Sequence, residues 1–311
     1  MAKPIKIVVH NDLDGGGSAI CIVNYINQKY GKGHPYDIWF GGYDKVNQYV
    51  ERVMDWPDKY EEVIIADIST NVELAKDFPS NFLTLDHHDS AAKLNGIGNC
   101  IIDTSGNHCG ASLCYKHLLM DNNYEFKHLT NLVKICIDYD LYHLKLPKNI
   151  AKNLNFLYYY YWGEKFIARF LNGFDKFTDT EKIFLKSKWA DIEKQIADAE
   201  IIDLLQEEPG KKGKFGIFII KSGQDAINDI CENAINVLGY DIIIAANPNK
   251  GKISVRASTH AEEKGMHVGM LHESLGIGGG HPKAGGAQYG SDDELEKITE
   301  AYANRILELE I

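Results

Sequence analysis

The first half of the chain alternates short β-branched runs with amphipathic stretches. Ile5-Lys6-Ile7-Val8-Val9 is followed by Gly15-Gly16-Gly17 and an amphipathic segment from Ser18 to about Tyr30. Asp37-Ile38-Trp39-Phe40 reads as a second strand, and 45–54 as a helix closed by Trp56-Pro57. Glu62-Val63-Ile64-Ile65-Ala66 reads as a third strand, 72–76 as a short helix stopped near Pro79, and Asn81-Phe82-Leu83-Thr84-Leu85 as a fourth strand. This alternation predicts a parallel sheet with helices on both faces. From about Cys109 the apolar spacing becomes helical, at 111–120 and 129–137. Thr178-Asp179-Thr180-Glu181 has the order of a capping box and opens a helix expected to run through Leu205, ending at the breaker Glu207-Glu208-Pro209-Gly210. Beyond it, strands are expected at 215–220, 240–245 and 252–257, a glycine-rich loop at 276–286 and a last helix at 295–309. The expected fold is α/β: an N-terminal parallel-sheet domain (1–178), a helical linker (179–210) and a smaller C-terminal α/β domain (211–311).

Composition narrows the function classes. The 311 residues are 44% apolar and 25% charged, which suits a folded chain and excludes wholesale disorder. A net charge of −11 argues against a protein that grips long duplex nucleic acid, which needs a dense basic surface. It leaves room for a small phosphate-bearing substrate at one local site. No apolar run approaches the ~20 residues of a membrane helix, and Met1-Ala2-Lys3-Pro4 leads into the first strand with no signal-peptide core. The six cysteines form no CxxC pair and lie mostly in apolar stretches, so reduced, buried thiols and a cytoplasmic location are expected.

Three groups of metal-type ligands follow apolar strands directly. The first strand delivers His10-Asn11-Asp12-Leu13-Asp14, the third Asp67, and the fourth Asp86-His87-His88. Ligands of open α/β sheets bind at the carboxyl ends of the strands, so these distant segments are expected to converge. Carboxylates with a minority of imidazoles and no thiolates suit Mn²⁺ better than a structural zinc. So many carboxylates repel one another unless cations intervene, and two divalent ions can stabilise both oxygens of an in-line phosphoryl displacement. The glycines after Asp14 allow close backbone approach at a helix start. No Walker pattern is present, and Gly276-Ile277-Gly278-Gly279-Gly280-His281 lacks the last glycine of a dinucleotide fingerprint.

His10-Asn11-Asp12-Leu13-Asp14-Gly15, Asp67, Asp86-His87-His88 and Gly278-Gly279-Gly280-His281, in this order, resemble the DHH phosphoesterase superfamily. The last of these is similar to its DHH-associated C-terminal domain. The His-x-Asp-x-Asp spacing is closest to the RecJ-like and archaeal branches. The resemblance implies that His10 and Asp12 bind one metal, that Asp14 and His87 bind the other, and that Asp67 bridges both. It implies one more aspartate after an apolar helix. Cys136-Ile137-Asp138-Tyr139-Asp140 offers two, with Asp138 favoured and Asp140 open. His88 would face the scissile phosphate, and Asp86 would orient the histidines. In the C-terminal domain, Arg256, Ser258 and the Gly278–Gly280 loop with His281 would hold a terminal phosphate or nucleotide, through bidentate guanidinium contacts and a nest of amides. After the histidine the family usually has two small residues and a glycine; this chain has Pro282-Lys283-Ala284-Gly285-Gly286.

The expected activity is therefore a two-metal phosphodiesterase using Mn²⁺, with Mg²⁺ or Co²⁺ as substitutes. It would act on short single-stranded nucleic acid, dinucleotides or related nucleotide phosphates. The alternatives are a pyrophosphatase or polyphosphatase and a single-strand exonuclease. No membrane partner is expected, and a homodimer is one assembly open to the chain. Other features have plainer readings. Tyr158-Tyr159-Tyr160-Tyr161-Trp162 reads first as packed helix surface and second as a base-stacking run. His108 reads as a capping residue, His260, His267 and His272 as loop or helix-surface residues, and Lys211-Lys212-Gly213-Lys214 as a solvated turn.

Overall fold

The structure is a computed structural model that describes residues 2–198, 201–203, 215–219, 227–247 and 251–311. It divides into two compact units, Met1–Leu185 and Lys186–Ile311. The expected breaker at 207–210 and the lysine turn at 211–214 lie outside the described residues.

The first unit begins β1 (Ile5–His10), α1 (Leu13–Lys29), β2 (Tyr36–Gly41), α2 (Val46–Met54), β3 (Val63–Ala66), α3 (Val72–Lys76), β4 (Phe82–Asp86) and β5 (Cys100–Ile102). Its five strands pair in the order β2-β1-β3-β4-β5, and every pairing is parallel. Strands covered on both faces read as continuous apolar runs, which is why β1 and β3 lack alternation. On one face Val46, Val50 and Val53 of α2 pack on Val8, Val63 and Ile65. α1 is buried along most of its length, so its apolar residues occupy more than one stripe. Lys6 is the polar exception in β1: it is buried, its ammonium lies 2.8 Å from Asp37 Oδ2, and it sits over the Tyr49 ring.

The chain then turns helical, as its spacing predicts. α4 (Gly110–Cys114) runs into a π-helical turn at Tyr115–Met120 and is followed by α5 (Thr130–Asp140), α6 (Ile150–Tyr161), α7 (Gly163–Phe170) and α8 (Asp179–Ala197). The capping box forms: Thr178 N donates to Glu181 Oε2 at 2.6 Å, and Glu181 N donates to Thr178 Oγ1 at 3.2 Å. The helix it opens is shorter than expected. It ends at Ala197, and Ile201–Asp203 is a strand, β6, paired with the next one. The apolar Ile201-Ile202 pair fits either period, and pairing to a neighbouring strand decided it.

The second unit continues with β7 (Phe215–Ile219), α9 (Ile227–Asn236), β8 (Ile242–Asn247), β9 (Lys252–Ala257), α10 (Thr259–Glu263), α11 (Val268–Leu275), β10 (Gly278–His281), β11 (Ala284–Gln288) and α12 (Asp292–Glu308). Its mixed sheet has the order β10-β11-β9-β8-β7-β6, with β7 and β8 parallel and the other pairs antiparallel. Ile242, Ile244, Val255, Val268, Ile298 and Tyr302 lie in its core. The glycine-rich segment expected as a loop is an antiparallel hairpin, with Gly279 opposite Gly286 and Gly280 opposite Gly285. The reason for the glycines is close packing. A Cβ on Gly280 would clash with Ala284 O, and one on Gly285 would come 2.7 Å from Val268 and the His272 ring. His272, expected at the surface, is fully buried there, and burial lowers its pKa.

Candidate metal centre

β1, β3 and β4 are adjacent and parallel, so their carboxyl ends lie side by side. His10 ends β1, Asp67 follows β3, and Asp86 ends β4 with His87 next. The convergence expected from strand-end geometry is present.

Asp12 caps α1: its Oδ1 accepts from Gly15 N at 2.9 Å, and its Oδ2 lies 2.6 Å from His10 Nδ1. Burial alone would raise this carboxyl, but the His10 contact and the Gly15 amide hold it down at about 2. Asp14, two residues on, is oriented by the start of α4. Gly110 N and Ala111 N donate to Oδ2 and Oδ1 at 2.5 and 2.9 Å. Gly110 is required there, because a Cβ would clash with Asp67 and come 2.9 Å from Asp14 Oδ2.

Asp67 lies between two groups of donors. Its Oδ2 is 3.9 Å from His10 Nδ1, and its Oδ1 is 3.3 Å from His87 Nε2. His87 Nε2 is also 3.8 Å from Asp14 Oδ2 and 3.4 Å from Asp140 Oδ2. Donor atoms of His10, Asp12 and Asp67 lie within 4.8 Å of one another, as do those of Asp14, His87 and Asp140. The Asp67 backbone is left-handed, at φ +59°, a conformation that costs energy in a non-glycine residue. Both oxygens of Asp67 and Oδ2 of Asp140 are buried with no hydrogen-bond donor among the described residues. Burial, followed by the charges of Asp14 and Asp12, pushes both carboxyls well above their ordinary range. Buried anionic oxygens without donors fit divalent cations, which would neutralise their repulsion.

The α5 aspartate that lies beside His87 is Asp140. Asp138, favoured from the sequence, faces elsewhere: its two oxygens accept from Lys145 N at 2.8 Å and Leu146 N at 3.2 Å. Asp86 is fully buried. It accepts from Ser69 Oγ at 2.7 Å and from His87 N at 2.8 Å, and lies 2.8 Å from His88 Nδ1. Burial opposes a charge on His88, but the Asp86 hydrogen bond outweighs it and pushes the imidazole up to about 9. Three contributors escaped the sequence reading. Ser69 and Gly110 carry no motif. Tyr43, with its ring 5.5 Å from His10 and 5.6 Å from His88, follows the end of β2, so strand-end reasoning applied to that strand points to it.

The remaining candidates belong to the second unit. Arg256, on β9, donates to Asn228 Oδ1 at 2.6 Å and to Ser254 Oγ at 3.0 Å. Ser258 caps α10, donating to Asp241 Oδ1 at 2.7 Å and accepting from Ala261 N at 3.0 Å, which gives its hydroxyl a structural use. Gly278, Gly279, Gly280 and His281 form β10, at the sheet edge.

Residues 212–308 match the DHHA1 domain family. No curated protein matches the sequence. The fold is similar to the DHH domain of a member of the s1p family of ribosomal proteins, at TM-score 0.60 and 16% identity over 98% of this chain and 87% of that one. RecJ in complex with Mn²⁺ from Thermus thermophilus has TM-score 0.61 and 15% identity over 97% of this chain, which spans 52% of that one. The pGpG-specific phosphodiesterase PggH from Vibrio cholerae has TM-score 0.56 and 16% identity over 96% of this chain and 99% of that one. Residues 212–308 thus form a DHHA1 domain, and the fold of the chain as a whole is similar to that of DHH-domain structures.

Proposed function

We propose that the protein is a metal-dependent phosphodiesterase acting on short oligonucleotides, linear dinucleotides or related nucleotide phosphates. The observation that carries this reading is the buried Asp67, with one oxygen toward each donor group and no hydrogen-bond donor on either among the described residues. In this reading His10, Asp12 and Asp67 hold one divalent ion and Asp14, His87, Asp140 and Asp67 the other, preferably Mn²⁺, with Mg²⁺ or Co²⁺ as substitutes. Bound there, the pair supplies Lewis-acid stabilisation of the charge that develops in a phosphoryl displacement. The chain's own residues do the rest. Asp12 stays ionised because His10 and the Gly15 amide favour its charge. Asp14 is fixed by two amides before any ligand arrives. Asp86 acts as a positioning residue: it holds the His88 ring and favours its charged form, placing a cation where a phosphate's oxygens need one. The second unit offers Arg256 for a terminal phosphate. The nucleotide phosphodiesterase and RecJ among the similar folds support a nucleotide substrate.

The test is incubation of the purified protein with Mn²⁺ and labelled linear dinucleotides, with pyrophosphate measured in parallel. Release of mononucleotide that is lost in Asp67→Asn is expected. No release by the wild type, or undiminished release by Asp67→Asn, overturns the reading. Phosphate release from pyrophosphate without dinucleotide cleavage moves the assignment to a pyrophosphatase.

A further inference from the structure

Five consecutive aromatic residues, Tyr158 to Trp162, end α6 and begin the next turn. Three are accounted for by packing. Tyr158 is fully buried, with its ring so close to the first turn of α1 that a Cβ on Gly16 would come within 2.8 Å of it. Tyr160 packs on Phe184, with centroids 4.4 Å apart, and Tyr161 donates from its hydroxyl to Glu181 Oε1 at 2.9 Å. Tyr159 and Trp162 differ. They are 54% and 51% exposed, against 47% for Tyr160, and from the last turn of α6 and its C-cap they hold their rings 6.4 Å apart and 28° from parallel. Trp162 reaches this position with φ +55°, a left-handed backbone in a bulky residue, while its amide donates to Tyr158 O at 2.7 Å. Strained backbone of this kind persists where surrounding structure enforces it, and it clusters at ligand sites.

The location gives these rings their meaning. Tyr158 rests on Gly16, two residues beyond Asp14 in the first turn of α1, and its ring meets that of Tyr159 edge-on with centroids 5.2 Å apart. We propose that Tyr159 and Trp162 form a stacking platform for a nucleobase of the substrate beside the metal centre, so that the first unit itself discriminates nucleotides from inorganic phosphates. This deepens the phosphodiesterase reading and rests on it. A nucleobase is a flat apolar group tethered to the phosphate that the centre would hold, and aromatic faces bind any base without reading its sequence. Pyrophosphate and polyphosphate carry nothing the platform could hold.

The experiment measures equilibrium binding of a linear diribonucleotide and of its abasic analogue, with the same backbone and phosphates, by calorimetry in Ca²⁺. The wild type is expected to bind the base-bearing ligand about tenfold more tightly than the abasic one. Tyr159→Ala and Trp162→Ala are expected to erase most of this preference by weakening the base-bearing ligand alone. Trp162→Phe, which keeps a flat ring, is expected to retain most of it. Absence of the preference in the wild type, its survival in both alanine variants, or equal weakening of both ligands overturns the platform. Cleavage by the wild type is scored separately. A protein that shows the base preference but cleaves no dinucleotide keeps the platform and loses the phosphodiesterase assignment.

Discussion

Asp67 concentrates the electrostatic problem of the centre in one side chain. It is buried, left-handed in its backbone, and surrounded by Asp12, Asp14 and Asp140. Its carboxyl titrates above its unfolded value without a cation, so the folded state binds more protons than the unfolded one in that window. Stability of the metal-free protein is therefore expected to fall as pH rises from about 4 toward the raised value. Asp67→Asn is expected to flatten this slope, to raise the melting temperature of the metal-free protein at neutral pH, and to lose most of the Mn²⁺-induced stabilisation. Thermal melts in chelator and in Mn²⁺ across pH read all three effects, and a wild-type melt indifferent to pH and Mn²⁺ counts against them. Occupation of the centre should also release protons, visible as a buffer-dependent binding enthalpy. Gly110 gives a steric counterpart. Gly110→Ala inserts a methyl group against Asp67 Cβ and Asp14 Oδ2 and is expected to cost about 1–3 kcal/mol while weakening Mn²⁺ binding, measured by denaturation and metal titration.

At the scale of elements, the choice between Asp138 and Asp140 shows where sequence reasoning stops. Both lie in the last turn of α5, two residues apart and so about 200° apart around the helix. Only one can face His87, and two aspartates near a helix end leave no hydrophobic stripe to say which. The β10–β11 hairpin was hidden for a different reason. Glycine is a poor strand former, so a glycine-rich run reads as loop, and its use here, to let α11 approach bare backbone, is a tertiary fact. The cap of α8, by contrast, was legible because a capping box is local. Structure adds Arg169, which donates to Glu181 Oε1 and Oε2 at 2.8 and 3.1 Å. Burial works against the Glu181 charge, but Arg169 and the Thr178 amide hold its carboxyl below the usual range. Its contribution is therefore present above the ordinary glutamate range and lost as pH falls through the lowered folded value. Glu181→Ala is expected to destabilise the protein by about 2 kcal/mol near neutral pH and by much less in acid, measured by urea unfolding at both.

At the scale of the whole molecule, each of the two units has its own sheet. The donor groups of the candidate metal centre named above all lie in the first unit. A lesion in the hairpin of the second should therefore spare it. Gly280→Ala, which places a Cβ against Ala284 O at φ +153°, is expected to lower the melting temperature of the second unit. The Mn²⁺ dissociation constant should stay within about twofold of the wild type. A large loss of Mn²⁺ affinity would show that the centre depends on the second unit. The sequence by itself determined the alternating α/β order of the first unit and the placing of His10, Asp67 and Asp86 at strand ends. Strand period, breakers and the carboxyl-end rule are local or topological and need no coordinates. Tertiary structure alone decided which aspartate of α5 lies beside His87, which two of five aromatic residues pair their exposed rings, and why one run of glycines is a strand. Each of these depends on what lies across a packing interface, and residues brought together from distant parts of the chain leave no periodic trace in it.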